Sequence, residues 1–340
     1  MTKTTTTAKT ITEKSIIDIL LENAINKIIA VDSGKNNMKS ICDDTAFIYK
    51  NKIDGKHRDS LNNLTWNVVY NGMPYYVGDS ATGSDLAEGK ASIEHKIQTL
   101  TSIANFLDPK EKNDNLVLIY GESLDYYFNE RHRQGLVDSL EGKHTISIIE
   151  NGLPVEYNFT IKKAHILPEG IGHIINNIKD CLRGKKYVVD IGGRTINFLA
   201  VENGAPVEKL SFSVEMGIYQ LASKCYHELK IAGLGVSDVE SVESYIRYGC
   251  KNPAVKKVIN ETMIEHLKEF DAVLRKKGID IHKIILNDDI IFVGGGTEGF
   301  KDVIVEYYGN SIIIPEKPIL SNVTGFYLYG LQKFGKMELN

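Results

Sequence analysis

Four cysteines, Cys42, Cys181, Cys225 and Cys250, stand far apart in 340 residues, and no two form a CxxC pair. That scarcity argues against a disulfide framework or a zinc ribbon and suits reduced thiols in a cytosol. The nine histidines include no HxxxH or HExxH spacing, so the chain carries no histidine metal motif. No apolar run reaches the roughly 18 residues that a membrane span needs, and the first residues lack the apolar core of a secretion signal. The single tryptophan, Trp66, and the seventeen tyrosines form no stacking stripe for single-stranded nucleic acid. A net charge of −4 supplies no global attraction to DNA or RNA. The expectation is a cytoplasmic protein with no membrane span and no direct nucleic-acid binding.

What is present is an ordinary globular composition, 42% apolar and 25% charged, long enough for two domains or one two-lobed body. The start is polar and repetitive, "MTKTTTTAKT", and "SIIDILLENAINK" after it sets Ile16, Ile17, Leu20, Leu21, Ala24 and Ile25 at helical spacing. That helix either packs on its own body or serves as a docking arm.

Two stretches share one pattern. "KIIAVDSGKNNMKSICDD" from Lys27 and "KYVVDIGGRTINFLAVENG" from Lys186 each run as a strand, a carboxylate (Asp32, Asp190), a small-residue turn and a second apolar strand. Alignment of Asp32 with Asp190, 158 residues apart, pairs Gly34 with Gly192, Met38 with Ile196 and Lys39 with Asn197. An internal repeat of this kind points to two similar lobes, each presenting a hairpin to a shared cleft. The glycines allow close backbone approach, and their N–H groups can cradle phosphate oxygens. The carboxylates would hold a hydrated Mg2+, which takes only one or two of them, and Lys39 would turn its ammonium to the phosphates. A third stretch, "IIFVGGGTEGFKDVIVEYYG" from Ile290, reads as a buried strand, three glycines and a helix from about Thr297. It lacks the GxGxxG spacing of a dinucleotide fingerprint.

In that order these pieces resemble the superfamily of actin, sugar kinases and heat-shock chaperones, and within it the ParM-type bacterial plasmid-segregation actins. The likeness rests on "VDSGKNNMK", "ILPEG" (166–170), "DIGGRTIN", "MGIYQLA" from Met216, "FVGGGTE" and "NVTGFYLYG" from Asn322, and it covers about residues 27–335. It implies an α/β fold of two lobes, with duplicated ribonuclease-H-like mixed sheets and a nucleotide cleft between them. The implied cofactors are ATP, with GTP as the alternative, and Mg2+. Asp32 and Asp190 would hold the metal through water. Ser33, Gly34, Lys39, Gly192, Gly193, Arg194, Thr195 and Gly217 would surround the phosphates, and Gly294, Gly295 and Gly296 would flank the nucleoside. Glu169 matches the carboxylate that positions the attacking water. The residues support this independently, because "KKAHILPEG" is a strand with a proline stop that releases Glu169 near the first hairpin's lobe. Arg194 and Asn197 depart from the family pattern, which often has a small residue and an acid there.

The implied units are a tail and helix (1–26), a first lobe (27–171) to which a terminal helix (322–340) returns, and a second lobe (172–321). Strands are expected near 28–50, 65–78, 115–120, 145–167, 186–202, 207–213 and 284–293, and "NG" turns at Asn71, Asn151 and Asn203 mark hairpins. Helices are expected near 91–107, 125–140, 217–231, 238–249, 253–277 and 323–334, the 256–277 stretch bordering the base with its polar edge. "ERHRQ" (130–134) reads as a solvated basic surface or as a filament or adaptor contact. Two functions fit this frame. One is a polymerising ATPase whose homopolymer moves plasmid DNA through a DNA-binding adaptor protein; the other is a sugar or small-molecule kinase. A kinase needs an acidic base for a substrate hydroxyl and usually a larger substrate lobe, whereas the short chain and "ILPEG" suit water activation.

Overall fold

The computed structural model describes residues 26–58, 62–83, 90–181 and 183–335. The tail and helix expected over residues 1–26 lie outside them save for Asn26, as do residues 336–340. Apolar runs cut by Asn-Gly pairs become antiparallel strands. At Asn71-Gly72, Asn151-Gly152 and Asn203-Gly204 both turn residues have positive φ, between 50° and 81°. A two-residue hairpin turn requires that backbone, and asparagine and glycine adopt it most readily.

The first sheet is built from β1 (Lys27–Ser33), β2 (Asn37–Cys42), β3 (Thr45–Lys50), β4 (Ile53–Asp54), β5 (Thr65–Tyr70), β6 (Met73–Gly78), β7 (Asn113–Glu122), β8 (Gly142–Glu150) and β9 (Leu153–Pro168), in the order β3-β2-β1-β7-β9-β8-β5-β6-β4. Its outermost strands, β3 and β4, are separated in the chain only by Asn51 and Lys52. The sheet must therefore curl until its two edges adjoin. It wraps α1 (Ile93–Ala104), whose Ile97, Leu100, Ile103 and Ala104 are buried with Val31, Tyr49, Val68 and Ile146.

The second sheet, β12-β11-β10-β14 with β13 on β11, comprises β10 (Lys185–Ile191), β11 (Ile196–Glu202), β12 (Ala205–Pro206), β13 (Phe212–Val214) and β14 (Asp289–Val293). One face packs on α6 (Ile218–Ile231), α7 (Val239–Tyr248), α8 (Pro253–Lys276) and α10 (Gly295–Tyr308), in a core that includes Leu221, Ile246, Phe270, Phe292 and Ile304. A third apolar cluster lies between the sheets. It joins Ile28, Ala30, Val117 and Ile119 of the first sheet to Val188, Leu199, Val201 and Ile291 of the second, through α4 (Ile171–Asn176) and α11 (Ser321–Phe334). The two helices cross at glycines: a Cβ on Gly325 would fall 2.1 Å from the Gly172 carbonyl oxygen, and one on Gly172 2.3 Å from that of Ser321.

The internal repeat is visible in the pairing. β1 runs antiparallel to β2 and parallel to β7, and β10 runs antiparallel to β11 and parallel to β14. Asp32 stands opposite Lys39, and Asp190 opposite Asn197. This is the two-lobed α/β architecture with duplicated mixed sheets. Two expected strands are shorter than their apolar runs. The 284–293 stretch is strand only from Asp289, because Ile281, Ile284 and Ile285 have helical spacing and form the turn α9 (Ile281–Ile284). In the 207–213 stretch, Glu208–Leu210 is a 3-10 turn and pairing resumes at Phe212.

Candidate functional site

The carboxyl ends of β1, β7, β9 and β10 and the start of α10 open on one cleft of about 400 Å³. A crevice outside the carboxyl ends of parallel strands is where α/β folds place ligands. Asp32, Gly34, Lys39, Glu169, Asp190, Gly192, Gly193, Arg194, Thr195, Gly295 and Gly296 all line it.

Charge organises its floor. Lys39 Nζ donates to Asp32 Oδ2 at 2.6 Å. Lys90 Nζ donates to Glu169 Oε1 (2.6 Å) and to the Gly121 carbonyl (2.8 Å), and lies 3.9 Å from Asp32 Oδ1. Asn197 Nδ2 donates to Glu169 Oε2 at 2.7 Å, and Asn322 Nδ2 to Asp190 Oδ2 at 2.7 Å. Three buried carboxylates thus face two ammonium groups. Because the cross-strand partner is a lysine in the first hairpin and an asparagine in the second, the carboxylate left without a cationic partner among the described residues is Asp190. Burial alone would raise the Asp32 carboxyl, but Lys39 and Lys90 outweigh it and hold it below its ordinary value. Burial, then the charges of Glu169 and Asp32, pushes Asp190 up to about 7. Lys90, opposed by burial, is held above its ordinary value by Glu169 and Asp32.

The second hairpin turn is shaped from behind. Gly192 N–H donates to the Thr195 carbonyl (2.8 Å), while the carbonyls of Gly192, Gly193 and Arg194 accept from the backbone N–H groups of Ile218, Tyr219 and Gly217 at the start of α6 (3.1, 2.9 and 2.8 Å). In a trans peptide the N–H opposes its carbonyl, so the amides of Gly193, Arg194 and Thr195 point away from α6. Gly217 is the backing of this loop and does not line the cleft; a Cβ there would meet the Arg194 backbone at 2.4 Å. Ser33 is likewise set back: it is fully buried and its hydroxyl accepts from Asn51 Nδ2 at 3.3 Å. In the triple glycine, Gly294 makes the turn at φ 91°, and a Cβ there would lie 2.2 Å from Asp190 Oδ1. The helix begins at Gly295, two residues earlier than its sequence suggests.

A side-chain strap crosses the cleft. Asn36 Nδ2 donates to Glu243 Oε1 (2.9 Å), the same oxygen accepts from Arg247 Nε (2.9 Å), and Arg247 Nη1 donates to the Gly295 carbonyl (3.3 Å). Arg247 on α7, and no residue of 256–277, lines the cleft, so the helix expected to border the base is not the one beside it. At its other end, His132 Nε2 meets Glu122 Oε2 at 3.2 Å and Arg133 donates to the Tyr127 carbonyl at 2.6 Å, so part of the "ERHRQ" stretch faces inward. Lys90 and Glu243 carried no sequence signal; Asn322 opened a quoted motif without a role.

Among the described residues no three His, Cys, Asp or Glu side chains are grouped to hold a metal ion, and no helix is long and apolar enough to cross a membrane. A donor set of two carboxylates fits Mg2+, which keeps several waters and takes further oxygens from phosphate. Asp190, buried beside two acids, is where such a cation would balance charge.

The family model of the actin-like proteins' N-terminal domain matches residues 30–172, and that of the archaeal actin homologue MreB-like C-terminal domain matches 188–306. No curated protein matches the chain. Among solved structures it is similar to the Alp12 filament (21% identity, 91% of this chain and 99% of that one, TM-score 0.67). It is also similar to the 15-stranded ParM filament from Clostridium botulinum (18%, 90% and 99%, 0.69) and to Ta0583, an archaeal actin homologue, in complex with ADP (17%, 90% and 100%, 0.71).

Proposed function

The chain belongs to the actin-like proteins, and on that premise we propose that it is a polymerising ATPase that hydrolyses ATP in the cleft and so limits the life of its filaments. The observation that carries this reading is the unbalanced Asp190, whereas Asp32 and Glu169 beside it each meet a lysine. Asp32 and Asp190 would hold Mg2+ through water, and the ion would neutralise phosphate charge. Around it the chain's own groups have distinct tasks. The amides of residues 193–195 and the first hairpin cradle phosphates, and Gly295 and Gly296 give room for the nucleoside. Glu169, fixed at both oxygens, keeps a free lone pair on each to orient the attacking water and take its proton. Phosphoryl transfer asks mainly for such positioning and charge balance.

The partners of this cytoplasmic protein are further copies of itself and, as the ParM likeness implies, a DNA-binding adaptor through which the filament segregates plasmid DNA. The test is paired phosphate release and pelleting with ATP or GTP, with Mg2+ or a chelator. Sedimentable polymer that needs Mg2+-nucleotide supports the reading. Sugar-stimulated ADP release without polymer overturns it in favour of a kinase. Glu169→Ala should lose roughly 10²-fold or more in hydrolysis and form filaments that persist; fast phosphate release from it would remove Glu169 from this role.

A further inference from the structure

Lys90 belongs to no motif, yet its side chain is 3% exposed and its ammonium sits between the two acids that the proposed reaction needs most, 2.6 Å from Glu169 Oε1 and 3.9 Å from Asp32 Oδ1. A buried ammonium is costly unless its hydrogens are used. One goes to Glu169 and one to the Gly121 carbonyl, and the Tyr120 ring lies 5.6 Å away. Gly121 is fixed in β7, where a Cβ would strike Phe326 at 2.5 Å. The lysine is therefore anchored to strand backbone on one side and grips the Glu169 carboxylate on the other. Asn197 holds that carboxylate's second oxygen.

We infer that Lys90 is the positioning residue for Glu169, fixing the plane and the charge of its carboxylate from the first lobe while Asn197 fixes it from the second. This rests on the reading of Glu169 as the group that activates water. A bond to Asn197 alone leaves the carboxylate free to rotate about one contact, among the acids Asp32, Glu122 and Asp190, with Lys39 already committed to Asp32. Lys90 removes that freedom. Its bridge also makes the base sensitive to the first hairpin, since Asp32 lies against the same ammonium.

The test uses the full chain and measures steady-state hydrolysis and ADP affinity for Lys90→Met, Glu169→Gln and the double variant. Lys90→Met should lower kcat roughly 10- to 100-fold, as a misplaced catalytic group does, with KM and ADP affinity within a few-fold of the parent. Added to Glu169→Gln it should cost almost nothing further, because it acts through that carboxylate. Should Lys90→Met fail to fold, Lys90→Gln serves in its place, since its amide can reach the Gly121 carbonyl without bringing charge. Normal kcat in the lysine variant, or losses that multiply in the double variant, would overturn the inference. If Glu169→Gln itself keeps parental kcat, the reading of Glu169 falls and the inference with it. Loss in Glu169→Gln with none in Lys90→Met sinks the inference alone.

Discussion

Asp32 and Asp190 hold equivalent places in two copies of one hairpin, and their different charged neighbours separate their chemistry. With Lys39 opposite, Asp32 is an ordinary buried ion-pair partner; with Asn197 opposite, Asp190 takes up protons near pH 7 where a usual aspartate does so near 3.8. Between those values the folded protein holds a proton at Asp190 that the unfolded chain has released. Stability from this group therefore falls as pH rises through the window from about 4 to 7, and stays low above it. Asp190→Asn removes the effect. In the nucleotide-free protein it should raise Tm by roughly 5 °C at pH 8 and leave Tm unchanged at pH 4, while weakening Mg2+-nucleotide binding. Calorimetry across that pH range checks the first outcome and titration the second; a variant no more stable than the parent at pH 8 would mean that Asp190 is balanced already. The repeat that brings these two acids together is readable from sequence because each copy is local. Lys90 and Asn322 were not readable, because Glu169 lies 79 residues from Lys90, and Asp190 lies 132 from Asn322.

The elements tell the same story at greater length. Asn-Gly hairpins and the strand-glycine-helix turn are each specified within a few residues and form where expected to within two residues, whereas the expected 125–140 helix is broken at Phe128 and Asn129 into Leu124–Tyr127 and Glu130–Leu140. The first part of the expected 284–293 strand is not strand because an isoleucine-rich run satisfies either period, and the packing of Ile281 and Ile284 decides between them. The crossing of α4 and α11 has no periodic signature at all; it needs two glycines, Gly172 and Gly325, that face one another across a long stretch of intervening chain. Gly325→Ala must push apart backbones that already touch, an overpacking that costs about 3 kcal/mol. Tm should fall by roughly 4 °C, and ATP affinity should fall with it, since Asn322 of the displaced helix holds both Asp190 and the Gly170 amide. A variant with parental Tm would show that the helices have room to slide.

Across the whole molecule three apolar cores are stacked in series, one in each lobe and one shared between them. The shared core makes the lobes one body, and across the cleft opposite it the described residues meet through polar contacts that include the touching hairpin turns, the Asn36–Glu243–Arg247 strap and the Lys52–Glu240 ion pair. Neither lobe's local sequence reports the strap, because its two halves are 207 residues apart. A nucleotide seated beneath it would be held in while Asn36 and Glu243 stay joined. Glu243→Ala should therefore speed the release of a fluorescent ADP roughly tenfold, the equivalent of about 1.4 kcal/mol, in a stopped-flow chase, with hydrolysis per bound ATP unchanged; an unaltered release rate would place the limiting barrier elsewhere. A tie of this kind works as a memory. Under the proposed function, a subunit that has spent its nucleotide would keep the record of it for as long as one amide holds one carboxylate, and the interval before it is recharged would be written in a hydrogen bond rather than in the chemistry of the phosphate.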